Sequence, residues 1–213
     1  MPLHEDHVEP NWLEWAKRLQ AIAQNGLTFA LSNFDVERYE AIRTIAAEMV
    51  AAGSNAGFER VLDLMSQDTG YATPKVDVRA VIFRDEALLL IKERDEERWA
   101  LPGGWADVGA SPSENVVREV AEEAGYQVRA TQLLAAYDRS LHAHEPPFPF
   151  HVYKLFFQCE IIGGNAATGF ETNAVEFFTA DQIPPLSLTR VTPAQIERMF
   201  EHHRHPDWPT DFD

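Results

Sequence analysis

The chain has 213 residues, of which 45% are hydrophobic and 24% charged, which is enough for one sizeable core or for a core with a small appendage. A net charge of −16 argues against broad binding to nucleic acid or to anionic membranes. There is no run of about 18 or more apolar residues and no signal-like segment, so we expect no membrane span. The single cysteine, Cys159, lies in an apolar, strand-like run and is interpreted as a small buried residue. These features predict a cytoplasmic protein.

Three helical patterns of apolar residues occupy the first part of the chain. The first covers residues 12–25 and is expected to end at Asn25-Gly26, because such a pair favours a turn. Asp35 is the expected N-cap of the second helix, which should end near Gly53. The third pattern consists of Phe58, Val61, Leu62 and Met65.

These helices predict a small N-terminal domain over residues 1–69, and residues 70–74 are interpreted as a linker. The domain carries more apolar surface than three helices of this length bury alone. Its large apolar residues include Trp12, Trp15, Phe29, Phe34, Tyr39 and Phe58. That surface must pack against the rest of the chain or against a second subunit, and two-fold association is the commonest outcome. We therefore expect a homodimer.

From Lys75 onward the apolar residues alternate with polar ones, as in strands. Strands are predicted over residues 76–83, 87–92, 127–137, 151–162 and 175–179. A last helix is expected over residues 192–203. The stretch His202-His203-Arg204-His205 lacks cysteine and the regular ligand spacing of a zinc site and is interpreted as solvated. Strands on both sides of one central helix predict a mixed sheet flanked by helices, in a second domain over residues 75–213.

The central helix of this domain has clear boundaries. Ser111 is a good N-cap, Pro112 suits the first helical position, and Glu114 stands where a capping-box partner belongs. Gly125 is suited to end the helix in a left-handed conformation. The loop before the helix contains three glycines: Gly103, Gly104 and Gly109.

One face of this helix carries three glutamates, Glu119, Glu122 and Glu123, bordered by one cation, Arg118. Like charges three and four residues apart repel, and two of them lie near the helix C-terminus, where the dipole disfavours anions. Hard divalent cations such as Mg²⁺ or Mn²⁺ bind carboxylate and carbonyl oxygens. By charge pattern alone, a metal site and a solvated acidic face are both consistent with these residues.

The stretch from Gly104 to Tyr126 resembles the Nudix box, G-x5-E-x7-R-E-U-x-E-E-x-G-U, where U is apolar. The opening glycine and every fixed position from Arg118 onward match. One position departs from the pattern, because the first glutamate of the box falls on Ala110. This departure leaves the acidic helix intact but removes a carboxylate from the loop. Asp107, three residues away, is a candidate for a partial substitute, which no feature of the sequence demonstrates.

The resemblance implies an α/β/α sandwich that hydrolyses the diphosphate linkage in a nucleoside diphosphate joined to another group X, with Mg²⁺ or Mn²⁺ as cofactor. It implies that Glu122 and Glu123 are metal ligands and that Glu119 is a ligand or the general base. The Gly103 carbonyl is implied as a further ligand. Arg118 is expected to orient a glutamate of the box by a charge-assisted pair.

Outside the box, members of the family often take a further base or ligand from a later loop. Glu171 and Glu176 are the candidates here, and Glu171 is better placed, in a polar loop. Arg79 is expected to form an ion pair with Asp77, with contact to a substrate phosphate as the alternative. Further candidates for substrate binding are Arg139, His151 and the aromatic residues Phe148, Phe150 and Tyr137.

The N-terminal helix with Trp12-Leu13-Glu14-Trp15, together with Asp138-Arg139 and residues 151–157, resembles a bacterial Nudix branch. That branch includes CDP-choline pyrophosphatase and proteins labelled ADP-ribose pyrophosphatase, and it implies a dimer in which the helical domain borders the nucleoside pocket. A CDP-alcohol such as CDP-choline is the favoured substrate, with ADP-ribose as the alternative. Because of Ala110, a nucleotide-sensing Nudix module without catalysis is the second hypothesis.

Overall fold

The computed structural model describes residues 9–213, so the first eight residues of the predicted domain 1–69 lie outside it. The chain divides into two compact units. One runs to Pro74 and also includes Pro147–His151, and the other comprises Lys75–Pro146 with Val152–Asp213. Among the helices of residues 9–213, none combines the length and apolar character that crossing a bilayer requires.

The first unit contains three helices, α1 (Asn11–Phe29), α2 (Asn33–Gly53) and α3 (Phe58–Gln67). They enclose a core of Leu13, Ala16, Ala46, Ala47, Val50, Val61 and Met65. The predicted end of α1 at Gly26 is wrong, because the helix continues to Phe29. A Cβ at Gly26 would lie 2.3 Å from the ring of Tyr39, so this glycine serves the close approach of Tyr39.

The N-cap predicted for α2 is also wrong by three residues. Ser32 is the cap, and its hydroxyl accepts a hydrogen bond from the backbone N–H of Asp35. The predicted end of α2 at Gly53 and the position of α3 are confirmed.

The second unit is built on two sheets. Its strands are β1 (Lys75–Val81), β2 (Phe83–Arg84), β3 (Ala87–Glu93), β4 (Trp99–Ala100), β5 (Tyr126–Asp138), β6 (Val152–Gly164), β7 (Thr172–Thr179) and β8 (Asp211–Phe212). The first sheet has the order β1-β6-β5-β8 and is mixed, with β1 parallel to β6 and β5 antiparallel to β6. In the second sheet, β3 pairs antiparallel with β2, β4 and β7. The predicted mixed sheet is confirmed.

The two helices of this unit, α4 (Pro112–Ala124) and α5 (Pro193–Arg204), pack into separate cores. The α4 core includes Leu89 and Ile91 of β3, whereas the α5 core includes Leu88 and Leu90 of the same strand. Successive side chains of a strand face opposite sides, so one apolar run supplies both cores. The α/β/α layering expected from the sequence follows from this alternation.

The interpretation of the C-terminal histidines as solvated is wrong for His202. This residue belongs to α5, is 3% exposed, and its Nε2 lies 3.0 Å from the Asp211 carboxylate. Asp211 also pairs with Arg198 and accepts a hydrogen bond from the Tyr137 hydroxyl. The helical period that buries Met199 also buries His202, three residues on, and the closing strand β8 supplies its partner.

Candidate functional site

The acidic helix α4 has the predicted caps. The Ser111 hydroxyl accepts from the Glu114 N–H, and the Glu114 carboxylate accepts from the Ser111 N–H, which completes a capping box. Gly125 has a left-handed φ of 74°, and its N–H donates to the Ala121 carbonyl. Val116 and Val120 are buried in the core beneath the helix, Glu123 is buried beside them, Glu119 is half-buried, and only Glu122 of the three glutamates is exposed.

The glycine loop before α4 is fastened to β1 by backbone hydrogen bonds. Ala80 donates to the Pro102 carbonyl at 2.8 Å, and Val78 donates to the Gly104 carbonyl at 2.8 Å. Gly103 has a φ of +140°, and a Cβ there would lie 2.0 Å from the Val78 carbonyl oxygen. Only glycine fits between the loop and the strand.

Two glutamates of α4 meet this loop. The Gly103 N–H donates to Glu123 Oε2 at 2.7 Å, and a Cβ at Gly104 would lie 3.2 Å from Glu119 Oε2. Burial raises the pKa of both carboxyls. The pKa of Glu123 is raised to about 7, mainly by burial and in part by the neighbouring charges of Glu93 and Glu119. Glu123 is 7% exposed.

Arg118 pairs with three carboxylates of the site, two exposed and one half-buried. Its Nη2 lies 2.9 Å from both Asp107 and Glu119, and its Nη1 lies 3.0 Å from Glu122. Asn115, which the sequence analysis missed, is fully buried and accepts from the Asp107 N–H and from Arg118. The guanidinium is therefore held between loop and helix, as an orienting role requires.

The donor chemistry of this face fits a hard divalent cation. Two carboxylates with raised pKa lie one helical turn apart beside the Gly103 loop, and a cation there would relieve their mutual repulsion. Within residues 9–213, however, no three His, Cys, Asp or Glu side chains converge closely enough to hold an ion together. Glu119 and Glu122 are instead both engaged by Arg118.

Arg79 forms the ion pair expected with Asp77. Its Nε and Nη2 donate to the two carboxylate oxygens at 2.9 and 2.6 Å, and Nη1 donates to the Leu101 carbonyl at 3.1 Å. Lys154, which the sequence analysis missed, donates to the same Asp77 carboxylate at 2.6 Å. Burial alone would raise the pKa of Asp77, but Arg79 and Lys154 lower it to about 2. Contact between Arg79 and substrate stays a prediction.

The other candidates for substrate binding are dispersed. Arg139 is buried and donates to the Pro146 carbonyl at 3.1 Å. Phe150 lies 5.5 Å from the ring of Phe148, in the segment Pro147–His151 that belongs to the helical unit. His151, in the same segment, is exposed. Phe150 and His151 therefore belong to the first unit, whereas the glutamates of α4 belong to the second, and their contact with substrate stays a prediction.

Two of the later candidates differ in position. The Glu171 carbonyl accepts from the Arg94 N–H, and the next residue, Thr172, donates its hydroxyl to the Glu123 carbonyl at 2.9 Å. The backbone at Glu171 is thereby held near the acidic helix, and its side chain is exposed. Glu176 lies farther along β7, opposite Leu90 of β3.

Two charged residues that the sequence analysis missed also belong to this region. Glu93 ends β3, is 2% exposed, and its Oε1 lies 2.8 Å from Arg190 Nε. Burial raises the pKa of Glu93, which Arg190 and Arg79 oppose. A charged residue at the end of an apolar strand was the available signal for Glu93, whereas Arg190 stands in a loop without a recognisable motif.

Comparisons with known proteins identify both units. Residues 10–65 match the model of a UDP-X-like N-terminal oligomerisation domain, and residues 73–199 match that of the NUDIX domain. The Bacillus subtilis (strain 168) protein YjhB, whose name designates it provisionally as an ADP-ribose pyrophosphatase, is 47% identical over 97% of this chain and 99% of its own length.

Two solved structures agree with this result. The crystal structure of a UDP-X diphosphatase is 34% identical, with a TM-score of 0.62 over 95% of this chain and 98% of that one. An ADP-ribose pyrophosphatase from Streptococcus suis is 41% identical, with a TM-score of 0.60 over 66% of this chain and all of that one. The resemblance noted in the sequence is thus confirmed, and the chain belongs to the Nudix hydrolase family.

Proposed function

We propose that this chain hydrolyses the diphosphate linkage of a nucleoside diphosphate sugar, with ADP-ribose as the first candidate and Mg²⁺ or Mn²⁺ as the cofactor. The observation that carries the proposal is the pair of buried carboxylates, Glu119 and Glu123, beside the Gly103–Gly104 loop of a Nudix domain. Nudix hydrolases use divalent cations, and this pair is where the chain has the donors for one.

In this proposal Glu119, Glu122, Glu123 and the Gly103 carbonyl hold the metal. When bound, the metal neutralises the two phosphoryl groups and lowers the pKa of a bound water. The Gly103 N–H fixes the Glu123 carboxylate, and Arg118 fixes Glu119 and Glu122. Glu171 is proposed as the proton acceptor from the attacking water, because its loop is fastened to the end of α4 through Thr172.

The order of substrates rests on the relatives. YjhB and the Streptococcus suis protein carry ADP-ribose in their names, and the UDP-X diphosphatase is similar along nearly the whole chain. None of these three is named for CDP-choline, which the sequence analysis favoured, so CDP-choline is placed after ADP-ribose and UDP-sugars here. The nucleobase contacts are left to experiment.

A homodimer through the helical unit is part of the proposal. The unit matches an oligomerisation domain and exposes several large apolar side chains within residues 9–69: Trp15, Ile22, Phe29, Leu31, Phe34, Ile45 and Leu64. So many exposed large apolar side chains on one small unit are typical of a protein that associates through it. Light scattering tests this: Phe29→Ser with Phe34→Ser should give a monomer, whereas Val108→Ser, an equally exposed change in the second unit, should not. A monomeric wild type would contradict the proposal.

Phosphate release tests the reaction. Wild-type protein is incubated with ADP-ribose, UDP-glucose or CDP-choline and a phosphatase that acts only on the monoester products. Release should require Mg²⁺ or Mn²⁺ and stop with EDTA. Binding of these nucleotides without any release would instead support the sensing module.

Substitution tests the metal ligands. Glu122→Gln and Glu123→Gln should each lower turnover by orders of magnitude while circular dichroism stays unchanged, and calorimetry should show weaker Mg²⁺ binding. Glu160→Gln, which changes an exposed carboxylate paired with Arg129, is the matched control. Unchanged Mg²⁺ affinity in both glutamate variants would refute the ligand assignment.

A further inference from the structure

The region around the acidic helix has an excess of carboxylates over available cations. Glu119 and Glu123 lie on α4, Glu93 ends β3, and Glu171 directly precedes β7, which pairs with β3. A diphosphate substrate brings further negative charge to this place. Besides a metal ion, its phosphoryl oxygens need a protein cation with unused hydrogen-bond donors.

The two arginines singled out by the sequence do not meet this need. All three nitrogens of Arg79 donate within the protein, to Asp77 and to the Leu101 carbonyl. Both terminal nitrogens of Arg118 contact carboxylates of the loop and the helix. Either would have to break an existing ion pair in order to bind a phosphate.

Arg190 differs from both. Its Nε lies 2.8 Å from Glu93 Oε1, an ion pair by distance that lacks hydrogen-bond geometry, and its side chain is 32% exposed. Within residues 9–213, no other ion pair or hydrogen bond engages the side chain of Arg190. The two terminal nitrogens, which carry four N–H donors in a planar fork, are therefore free to bind an anion.

The ion pair of Arg190 lies next to the acidic helix. Glu93 is paired in register with Thr172 of β7, and the Thr172 hydroxyl donates to the Glu123 carbonyl at 2.9 Å. The charge of Glu93 also contributes to the raised pKa of Glu123, as expected of close neighbours. Arg190 is thus connected to the proposed metal ligand Glu123 through Glu93 and Thr172.

The loop that carries Arg190 is held firmly. The Ser187 N–H donates to the Trp99 carbonyl at 2.8 Å, and the Arg190 N–H donates to the Ser187 carbonyl at 3.0 Å. The hydroxyls of Ser187 and Thr189 both donate to the Glu96 carboxylate. A cation on such a loop is placed before substrate arrives, so little ordering free energy is lost on binding.

We propose that Arg190 binds the diphosphate group of the substrate and that the buried carboxylate of Glu93 is the positioning residue that orients it. The inference rests on the proposed function. This role also explains why a carboxylate is buried at position 93. A carboxylate that is 2% exposed beside other carboxylates is unfavourable unless it holds a cation in place. A purely structural ion pair would account for stability but not for the unused donors.

Steady-state kinetics with the substrate that the wild type hydrolyses test the role of Arg190. Arg190→Gln should raise KM by about tenfold or more and change kcat much less, since a charge-assisted contact made before and during reaction is lost. Arg129→Gln removes an exposed cation of the same unit and is the matched control, expected within twofold of wild type. Equal KM increases in both variants would reduce the effect to net charge and overturn the proposal.

A double-mutant cycle tests Glu93. Glu93→Gln keeps the size of the side chain and should raise KM, but it should add nothing further in the Arg190→Gln background, because its effect passes through Arg190. Equal effects in both backgrounds would show that Glu93 does not position Arg190. If Arg190→Gln does not fold, Arg190→Lys replaces it and should still raise KM, because the planar fork is lost.

Binding provides a readout that is independent of turnover. The probe is α,β-methylene-ADP, whose bridge resists hydrolysis, titrated by calorimetry with and without Mg²⁺. Arg190→Gln should weaken binding about tenfold under both conditions, and an unchanged Kd would overturn the inference while leaving the proposed function intact. A wild type that neither binds the probe nor releases phosphate would overturn both.

Discussion

Gly103 is the residue whose replacement should disturb the site most directly. Its φ of +140° lies in the range that L side chains rarely adopt, and a Cβ would lie 2.0 Å from the Val78 carbonyl oxygen and 3.0 Å from the Arg79 Cα. Both contacts are with backbone, which cannot rotate away as a side chain can. Gly103→Ala must therefore push the loop off β1 and pull its N–H away from Glu123.

The magnitude follows from two contributions. The left-handed backbone costs an L residue about 1–2 kcal/mol. Loss of the 2.7 Å bond from the Gly103 N–H to the Glu123 carboxylate adds about 1.5–3 kcal/mol. We expect Gly103→Ala to lower the free energy of unfolding by about 2.5–5 kcal/mol.

Two other glycines separate these contributions. Gly109 has a φ of +93° with no atom within 4 Å of the added Cβ, so Gly109→Ala should cost only the backbone term. Gly57 has an ordinary φ of −68° and equally open space, so Gly57→Ala should be nearly neutral. Urea denaturation followed by circular dichroism measures all three, with an unchanged m-value as the control on the reference state. Equal losses for Gly103→Ala and Gly109→Ala would refute the steric argument.

Three more predictions concern charge. Asp77→Asn leaves Arg79 and Lys154 buried without their counter-charge and should lower the free energy of unfolding by about 3–5 kcal/mol, measured by urea denaturation. Burial, aided by the charge of Lys154, lowers the pKa of His144 to about 2. Below pH 6.5 the unfolded chain therefore binds a proton at His144 that the folded chain does not bind. Stability should fall there by up to about 1.4 kcal/mol per pH unit, and the slope should shrink in His144→Gln. Ala110→Glu should change the hydrolysis rate by less than about tenfold.

Each of these has an outcome that contradicts it. Glu160→Gln breaks an exposed ion pair and should lower the free energy of unfolding by less than about 1 kcal/mol. An equally small loss for Asp77→Asn would show that the buried ion pair does not stabilise the fold. Identical acid slopes for wild type and His144→Gln would exclude His144 as the titrating group. A wild type inert on every diphosphate together with an active Ala110→Glu would favour the sensing module.

The sequence predicted the second unit well because its signals are local. The capping box at Ser111 and the left-handed Gly125 depend on a few adjacent residues, and both are found. The strands followed from alternation, although the two-residue strands β4 and β8 were missed because such short pairs are fixed by their partners. The end of α1 was wrongly predicted at Gly26 for the same reason, because the role of this glycine depends on its contact with Tyr39 of another helix.

Partners distant in the chain account for the missed site residues. Lys154 is 77 positions from Asp77, and Arg190 is far from Glu93, so no spacing in the sequence joins them. The acidic helix was visible because its carboxylates follow one helical period. The cations near these carboxylates come from separate strands and loops. The pairing of β1 with β6 brings Lys154 to Asp77, and the bridge between Trp99 of β4 and Leu186 brings the loop that carries Arg190 to Glu93.

The departure from the Nudix pattern at Ala110 can be reasoned through the same contacts. Ala110 is exposed, and its carbonyl accepts from the amide of Asn115, so the residue lies in a turn that α4 already fixes. Asp107 brings a loop carboxylate to 2.9 Å from Arg118. A glutamate at position 110 would add one more anion beside a guanidinium whose two terminal nitrogens are already occupied. The expected gain from Ala110→Glu is small for this reason, and substitution of the helix carboxylates or of Arg190 should affect the reaction more.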